Sequence, residues 1–278
     1  MAKKGEWAAF PGPAKDFDFD GDKLKKAWPK LHKGDCEPYP DAKAVTAQLG
    51  KKAKDADDIA NQLQDAWRAF HGGDFQRAFE IGQSLGPIGA SVACKAGGIH
   101  ADHLVDDDKT KLSRYELLMQ LAEEASNALP DSPNAHYRRA FAIGRYSQGI
   151  SIAKALKQGL AGKVRDSLDR TLALAPDHAE AHTALGLYHA EIIDKVGAML
   201  GGLTYGAKAA VGEEHLKRAT KITPDSPITW IEYGNGLMLL YGDKREDDAA
   251  EAYEKASKLK PKDAMEWLDV QFAKSELE

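Results

Sequence analysis

The sequence has little of what membrane-spanning, secreted or nucleic-acid-binding proteins need. It has only 2 cysteines, and its 38 basic residues are outnumbered by 43 acidic ones, giving a net charge of -5. Its apolar runs fall far short of the ~20 residues that cross a bilayer. No apolar segment follows the lysines near the start, so we expect no signal peptide. We therefore expect a cytoplasmic protein with no membrane span and no nucleic acid as partner.

Common catalytic motifs are missing as well. The sequence contains no Walker phosphate loop, no Gly-x-Gly-x-x-Gly after a strand, and no glycine-framed serine elbow between a strand and a helix. Cys36 and Cys94 could form one disulfide, but we expect two free thiols in a reducing compartment. The prediction is a protein that is not an enzyme and uses neither cofactor nor resident metal.

What the chain does contain is an internal repeat, which begins each time with a proline. Six residues after the proline comes a bulky residue, and a small residue follows four positions later in three of the four copies. The proline and bulky pairs are Pro130 and His136, Pro176 and His182, Pro224 and Trp230, and Pro261 and Trp267. The small residues are Ala140, Gly186 and Gly234. This spacing predicts helices that start soon after each proline.

A second helix precedes each of these prolines and carries small residues at helical spacing. Gly212, Leu216 and Ala219 precede Pro224, and Ala249, Tyr253 and Ala256 precede Pro261. Small residues there let the second helix lie close to the first, and proline then ends it. No alternating strand pattern is present. The sequence therefore predicts an all-α fold.

This pattern resembles the tetratricopeptide repeat, best matched by Trp230, Tyr233 and Gly234 followed by Ala249, Tyr253, Ala256 and Pro261. The resemblance implies a superhelical stack of helix pairs whose concave groove binds a protein or peptide. The groove positions it implies lie on the first helices. They are Tyr137, Phe141, Thr183, Leu187, Ile231, Asn235 and Met238.

Two central repeats are elongated, because Pro130 to Pro176 is 46 residues and Pro176 to Pro224 is 48, against ~34 for the standard repeat. The extra residues are 149–162 and 195–211. Such long repeats are similar to those of the regulator-of-microtubule-dynamics family, which implies a cytoplasmic or membrane-tethered adaptor, and to those of the T component of TRAP transporters. We expect both inserts to lengthen helices, with a corner at Gly201 and Gly202, and to pack on each other.

The predicted function is a non-enzymatic adaptor or scaffold that binds a protein or peptide. The alternative is a carrier for an apolar small molecule, with its pocket between the inserted helices. A homo-oligomer is compatible with either function. The N-terminal arm could also fill the groove itself.

The predicted division of the chain is an extended arm at 1–40 and a repeat domain at 41–278. Five prolines fall in the arm, which leaves room for one short helix, Lys23 to Lys33, with Asp22 as its N-cap. Asp16 to Asp22 has the opening spacing of a calcium loop, but Ala27 stands where its bidentate Glu belongs. We expect an acidic turn there, with Phe17 and Phe19 packed on the body.

Three histidines share one helical stripe. His178 and His182 have the i, i+4 spacing of a helical zinc pair, and His189 follows on the same face. His182 and His189 fill the positions of Trp230 and Leu237 in the next repeat, however. We therefore expect hydrogen bonding between helices and no metal. Trp230 and Trp267 are expected to be mostly buried.

Overall fold

The computed structural model describes residues 7–50 and 53–278, and helices dominate them. In these residues there is no β-strand, so the all-α helical-repeat fold is confirmed. The α-helices are α1 Lys23–Leu31, α2 Ala42–Leu49, α3 Ala56–Gly72, α4 Phe75–Ser84, α5 Ala90–Leu104, α6 Asp108–Ala128, α7 Pro133–Gln148, α8 Ile152–Lys157, α9 Leu160–Leu174, α10 Ala179–Val196, α11 Ala198–Tyr205, α12 Ala209–Ile222, α13 Pro227–Tyr241, α14 Glu246–Lys258 and α15 Ala264–Ser275.

Several helices begin at a side chain that caps the first free backbone amides. Asp74 accepts a hydrogen bond from the amide of Arg77 at 3.1 Å, and Asp107 accepts one from Thr110 at 2.7 Å. His178 caps α10 through its Nδ1, which accepts from the amide of Ala181 at 3.0 Å. These bonds satisfy donors that a helix leaves open at its start.

The described chain divides into two units that are not continuous in sequence. Unit 1 comprises the described residues up to His32, then Glu37–Leu160 and Asp263–Met265. Unit 2 comprises Lys33–Cys36, Ala161–Lys262 and Glu266–Glu278. The division into an arm at 1–40 and a repeat domain at 41–278 stays a prediction.

Within each unit the helices pack as in a repeat stack. In unit 1, α3 to α7 pack each on the next, and α5 also contacts α3 and α7. In unit 2, α10 packs on both α12 and α13, and α13 packs on α14. The first helices therefore contact one another as well as their own second helices, which places them along one side of each unit.

The bulky residue of the repeat has a role that its size alone does not indicate. The side-chain nitrogen of His136 lies 2.8 Å from the carbonyl oxygen of Pro130, and that of His182 lies 2.9 Å from Pro176. Trp230 Nε1 donates to the Pro224 carbonyl, also at 2.9 Å. Each ring nitrogen thus contacts the carbonyl of a proline that lies two residues beyond the end of the preceding helix. Trp230 and Trp267 are partly buried and not fully enclosed.

The small positions are places where two helices approach closely. A Cβ added to Gly186 would lie 2.5 Å from Leu216 Cγ and 2.9 Å from the backbone oxygen of Gly212. A Cβ on Gly212 would lie 2.9 Å from the Cβ of His189. Helices α10 and α12 therefore meet through glycine on both sides, as the small-residue spacing predicts.

The arm differs from the prediction at its helix. Helix α1 ends at Leu31, and Asp22 makes no capping hydrogen bond with its side chain because its backbone is already helical, with φ -74° and ψ -8°. Phe17 is buried, and the Phe19 ring lies 5.4 Å from that of His71. The predicted packing of both phenylalanines on the body is confirmed.

The two inserts are helical, but they do not lengthen their neighbours. Each forms a separate short helix, α8 and α11. The chain turns at Gly197 and Gly206, where φ is +81° and +65°, whereas Gly201 and Gly202 lie inside α11. The predicted corner at Gly201 and Gly202 is therefore wrong, because the positive φ falls on the other two glycines. That the inserts pack on each other stays a prediction.

In the described part of the chain, no helix combines the length and apolar character needed to traverse a bilayer. Cys36 and Cys94 are both free thiols, as expected.

Candidate binding surfaces

The groove residues predicted in unit 1 differ in how far solvent reaches them. Tyr137 and Phe141 are one turn apart on α7, a first helix of the stack. Tyr137 is only 7% exposed, so it belongs to the core more than to a surface. Phe141 is half-buried and keeps part of its ring open.

The Phe141 ring is held in place by three neighbours. A Cβ added to Gly98 on α5 would lie 2.4 Å from Phe141 Cε1, so the ring rests directly on that glycine. The Tyr115 ring meets it edge-on at 6.3 Å. The guanidinium of Arg145, one turn further along α7, lies 5.7 Å from the ring centre, within the range of a cation–π contact.

The Asp102 carboxylate contacts two of these neighbours, Tyr115 and Arg145. Asp102 on α5 accepts a hydrogen bond from the Tyr115 hydroxyl and pairs with Arg145 Nε at 3.3 Å. Burial and then the Asp102 charge raise the pKa of Tyr115, so the phenol stays protonated and donates. We call Gly98, Asp102, Tyr115, Phe141 and Arg145 the Phe141 cluster. It offers a fixed aromatic ring beside a balanced pair of opposite charges.

The predicted residues of unit 2 lie on α10 and α13, which pack against each other. Thr183 and Ile231 are buried, Leu187 and Asn235 are half-buried, and Met238 is exposed. The Asn235 side chain is already engaged, since it accepts from the Tyr253 hydroxyl at 2.6 Å and donates to Glu232 at 3.0 Å. Leu187 and Met238 are therefore the members of this set most open to a partner.

The histidine stripe is built into the helix packing. His182 Nε2 lies 2.9 Å from the Pro176 carbonyl oxygen, and its Nδ1 lies 2.8 Å from His215 Nδ1 on α12. His189 Nδ1 accepts from the Lys208 amide at 3.2 Å, and burial lowers the pKa of His189 to about 4. The predicted hydrogen bonding between helices is confirmed. The partner of His182, His215, lies 33 residues away, and no local pattern in the sequence indicates it.

No group of three or more histidine, cysteine or acidic side chains able to hold a metal occurs in residues 7–50 and 53–278. In the acidic turn, Asp18 accepts from the Lys23 ammonium and from the Asp20 amide. The Lys23 hydrogen bond and then the Asp20 amide lower the pKa of Asp18. These contacts are those of an acidic turn that leads into α1.

The arm makes a contact that the sequence analysis missed. The ring of Trp7 lies 4.4 Å from that of His100 on α5 and 5.2 Å from that of Phe79 on α4. The guanidinium of Arg114 on α6 covers the same ring at 3.8 Å, and His100 Nε2 accepts from the Ala8 amide at 2.9 Å. The arm therefore occupies a surface of α4, α5 and α6. That it fills the groove at Tyr137 and Phe141 stays a prediction.

Comparison with known proteins supports the fold. No known family profile matches the sequence, and no curated protein does. Among solved structures, a thermophilic TPR protein from Thermus thermophilus is similar, with a TM-score of 0.54 and 15% sequence identity. The match covers 78% of this chain and 99% of that one. This likeness shows a TPR-like fold.

Proposed function

We propose that this chain is a non-enzymatic scaffold that binds a protein or peptide segment along the first helices of its repeats. The observation that carries the proposal is the Phe141 cluster, where a half-exposed aromatic ring is fixed by Gly98, Tyr115 and Arg145. The TPR-like fold supports it, since stacked repeats offer extended surfaces for binding.

The cluster has the composition of an interface centre. Aromatic residues and arginine are enriched where partners meet, and a few such residues carry most of the binding energy. Because Phe141 rests on a glycine and between two further side chains, little conformational freedom would be lost when a partner covers it. Arg145 and Asp102, both partly exposed, would orient polar groups at the rim.

The proposal assigns no catalytic step. His182 and His189 are buried and hydrogen bonded within the helix packing, and burial lowers the pKa of both. A cytoplasmic location is part of the proposal and is supported by the two free thiols. The carrier alternative needs an enclosed apolar pocket, whereas the large apolar side chains of α8 and α11 are exposed. No specific observation therefore favours it.

The test uses peptides selected by phage display on the purified full chain, with the Kd measured by fluorescence anisotropy. Phe141→Ala should weaken binding by at least about 10-fold, as loss of a central aromatic does. Phe272→Ala is the matched control, because it removes an exposed phenylalanine from α15, and it should change the Kd by less than about twofold. Circular dichroism checks that both variants fold.

If no selected peptide loses affinity in Phe141→Ala, the Phe141 cluster is not the binding site. A competition assay between the selected peptides provides a second measurement. Peptides that compete with one another and all respond to Phe141→Ala define a single site on α7. Peptides weakened equally by the Phe272→Ala control would contradict the assignment.

A further inference from the structure

We propose that helix α8 docks the protein onto an anionic lipid surface. The sequence from Ser132 to Arg165 has no acidic residue, in a chain whose net charge is -5. Its basic residues are Arg138, Arg139, Arg145, Lys154, Lys157, Lys163 and Arg165. Arg139, Arg145 and Arg165 pair with carboxylates outside the segment, and Arg138 is buried. The exposed positive charge of the segment therefore lies on Lys154, Lys157 and Lys163.

The part of this segment that forms α8 is an ordered element. Ser151 caps the helix by accepting a hydrogen bond from the Lys154 amide at 3.3 Å. Gly159 follows its end with a φ of +63°, a conformation that favours glycine. The helix therefore has a definite start and stop, and its side chains have fixed faces.

The two faces of α8 differ in chemistry. Ile152 and Leu156 are four residues apart on one face, and they are 49% and 50% exposed. Lys154 and Lys157 lie on the other side of the helix, both exposed. Neither lysine forms an ion pair with any described residue, and Lys154 only approaches the Tyr146 ring, at 5.5 Å. An apolar face opposite a lysine face is typical of helices that lie in a membrane interface.

A lipid surface fits this patch better than a protein does. Stable protein interfaces bury about 1,200 Å² or more in total, whereas α8 offers two large apolar side chains. Lysine carries a compact charge on a flexible stem and imposes no fixed hydrogen-bond geometry. Such charges suit the diffuse negative potential of a leaflet, where each basic residue strengthens binding roughly fivefold.

The experiment measures sedimentation of the full chain with vesicles of pure phosphatidylcholine and with vesicles containing phosphatidylserine. We expect binding only to the phosphatidylserine vesicles, and release as salt is raised. Lys154→Glu with Lys157→Glu should lower the partition coefficient at least about 25-fold, since two favourable charges are lost. Ile152→Ser with Leu156→Ser should also lower it, because the apolar face is removed.

Two control pairs separate α8 from general effects. Lys26→Glu with Lys30→Glu makes the same charge change on α1, where both lysines are exposed, and should leave binding within about twofold. Met199→Ser with Leu203→Ser removes the most exposed apolar side chains of α11, at 88% and 87%, and should have as little effect. All four positions are exposed, so these variants should fold, which circular dichroism checks.

Several results would overturn the proposal. Absence of binding to phosphatidylserine vesicles would do so directly, as would equal binding to both vesicle types. If either control pair lowered vesicle binding as much as the α8 pairs do, the binding would depend on net charge or on another helix and not on α8. A further contrary result is that the wild-type chain binds no lipid and forms a dimer, seen by light scattering, that Leu156→Ser dissociates. That result would show that a second copy of the chain covers α8.

Discussion

At the scale of single residues, the bulky position of the repeat is defined by a hydrogen-bond donor. Histidine and tryptophan fill it in α7, α10 and α13, and each ring nitrogen reaches the carbonyl of the proline six residues earlier. A phenylalanine would fill the space but could not make that hydrogen bond. Loss of one such bond costs about 1 kcal/mol when the acceptor stays partly solvated.

His136→Phe should therefore lower the free energy of unfolding by about 1 kcal/mol. His136→Trp should restore most of that loss, because an indole N–H already serves in the same position at Trp230. Urea denaturation of both variants measures the difference. Equal stability of the Phe and Trp variants would show that the position selects bulk alone.

His100 makes stability depend on pH. Burial, and then the nearby Arg114, lower the pKa of His100 to about 4 in the folded chain, against about 6.5 when unfolded. Below pH 6.5 the unfolded chain takes up a proton that the folded chain refuses until about pH 4. Above pH 6.5 His100 therefore does not lower the free energy of unfolding. Between pH 6.5 and about pH 4, its titration lowers the free energy of unfolding by about 1.4 kcal/mol per pH unit.

His100→Gln keeps a side chain that can accept from the Ala8 amide but does not titrate. Between pH 7 and pH 5 the wild-type chain should lose about 2 kcal/mol more than the variant. Urea titrations at the two pH values measure this. An identical loss in both proteins would mean that His100 is free to protonate in the folded state.

At the scale of elements, glycine has opposite roles in two first helices. Gly186 on α10 has Leu216 and the Gly212 backbone where a Cβ would lie, whereas nothing lies within 4 Å of a Cβ added to Gly144 on α7. Gly186→Ala should destabilise by about 1–3 kcal/mol through overpacking. Gly144→Ala should be neutral or stabilise by up to about 1 kcal/mol, because alanine favours the helix.

Thermal unfolding of this matched pair decides the point. A stabilised Gly186→Ala variant would mean that α10 and α12 separate without cost. A strongly destabilised Gly144→Ala variant would mean that this part of α7 is covered in solution.

The helices and the small positions where the two helices of one repeat meet could be predicted from the sequence, because each is marked by residues a few positions apart. The proline spacing and the small residues at Gly186 and Gly212 are of this kind. The turns at Gly197 and Gly206 could not be predicted. Several glycines share the segment 197–206, and only backbone geometry decides which of them take positive φ.

The same limit applies at the candidate site. Phe141 could be predicted, because its position in the repeat is a matter of local spacing. Its supports Gly98 and Tyr115 could not, because they come from other helices. Contacts between helices of different repeats leave no periodic signal in the sequence.

At the scale of the whole molecule, the end of the chain returns to complete unit 1. Asp263 Oδ2 accepts from His71 Nδ1 at 2.7 Å, and both side chains are buried. His71 Nε2 lies 3.1 Å from His32 Nε2. Asp263 is separated from His71 by 192 residues, so no local pattern in the sequence could indicate the pairing.

Asp263→Ala should lower the free energy of unfolding by about 2 kcal/mol or more, since it leaves a buried donor unpaired. The matched control is Asp225→Ala, which removes an exposed carboxylate paired with Lys262 at 3.2 Å and should cost less than about 1 kcal/mol. Chemical denaturation compares them. Similar losses in the two variants would mean that water reaches His71 when Asp263 is gone.

The return of Asp263 also sets an order for synthesis on the ribosome. Helices α1 to α7 emerge early, yet the carboxylate that pairs with His71 is residue 263 of 278. His71 therefore lacks this acceptor until the chain has been translated past residue 263. A nascent chain stalled before residue 263 has every one of these helices and still lacks that acceptor. Final consolidation of unit 1 therefore depends on a residue that is made well after helices α1 to α7.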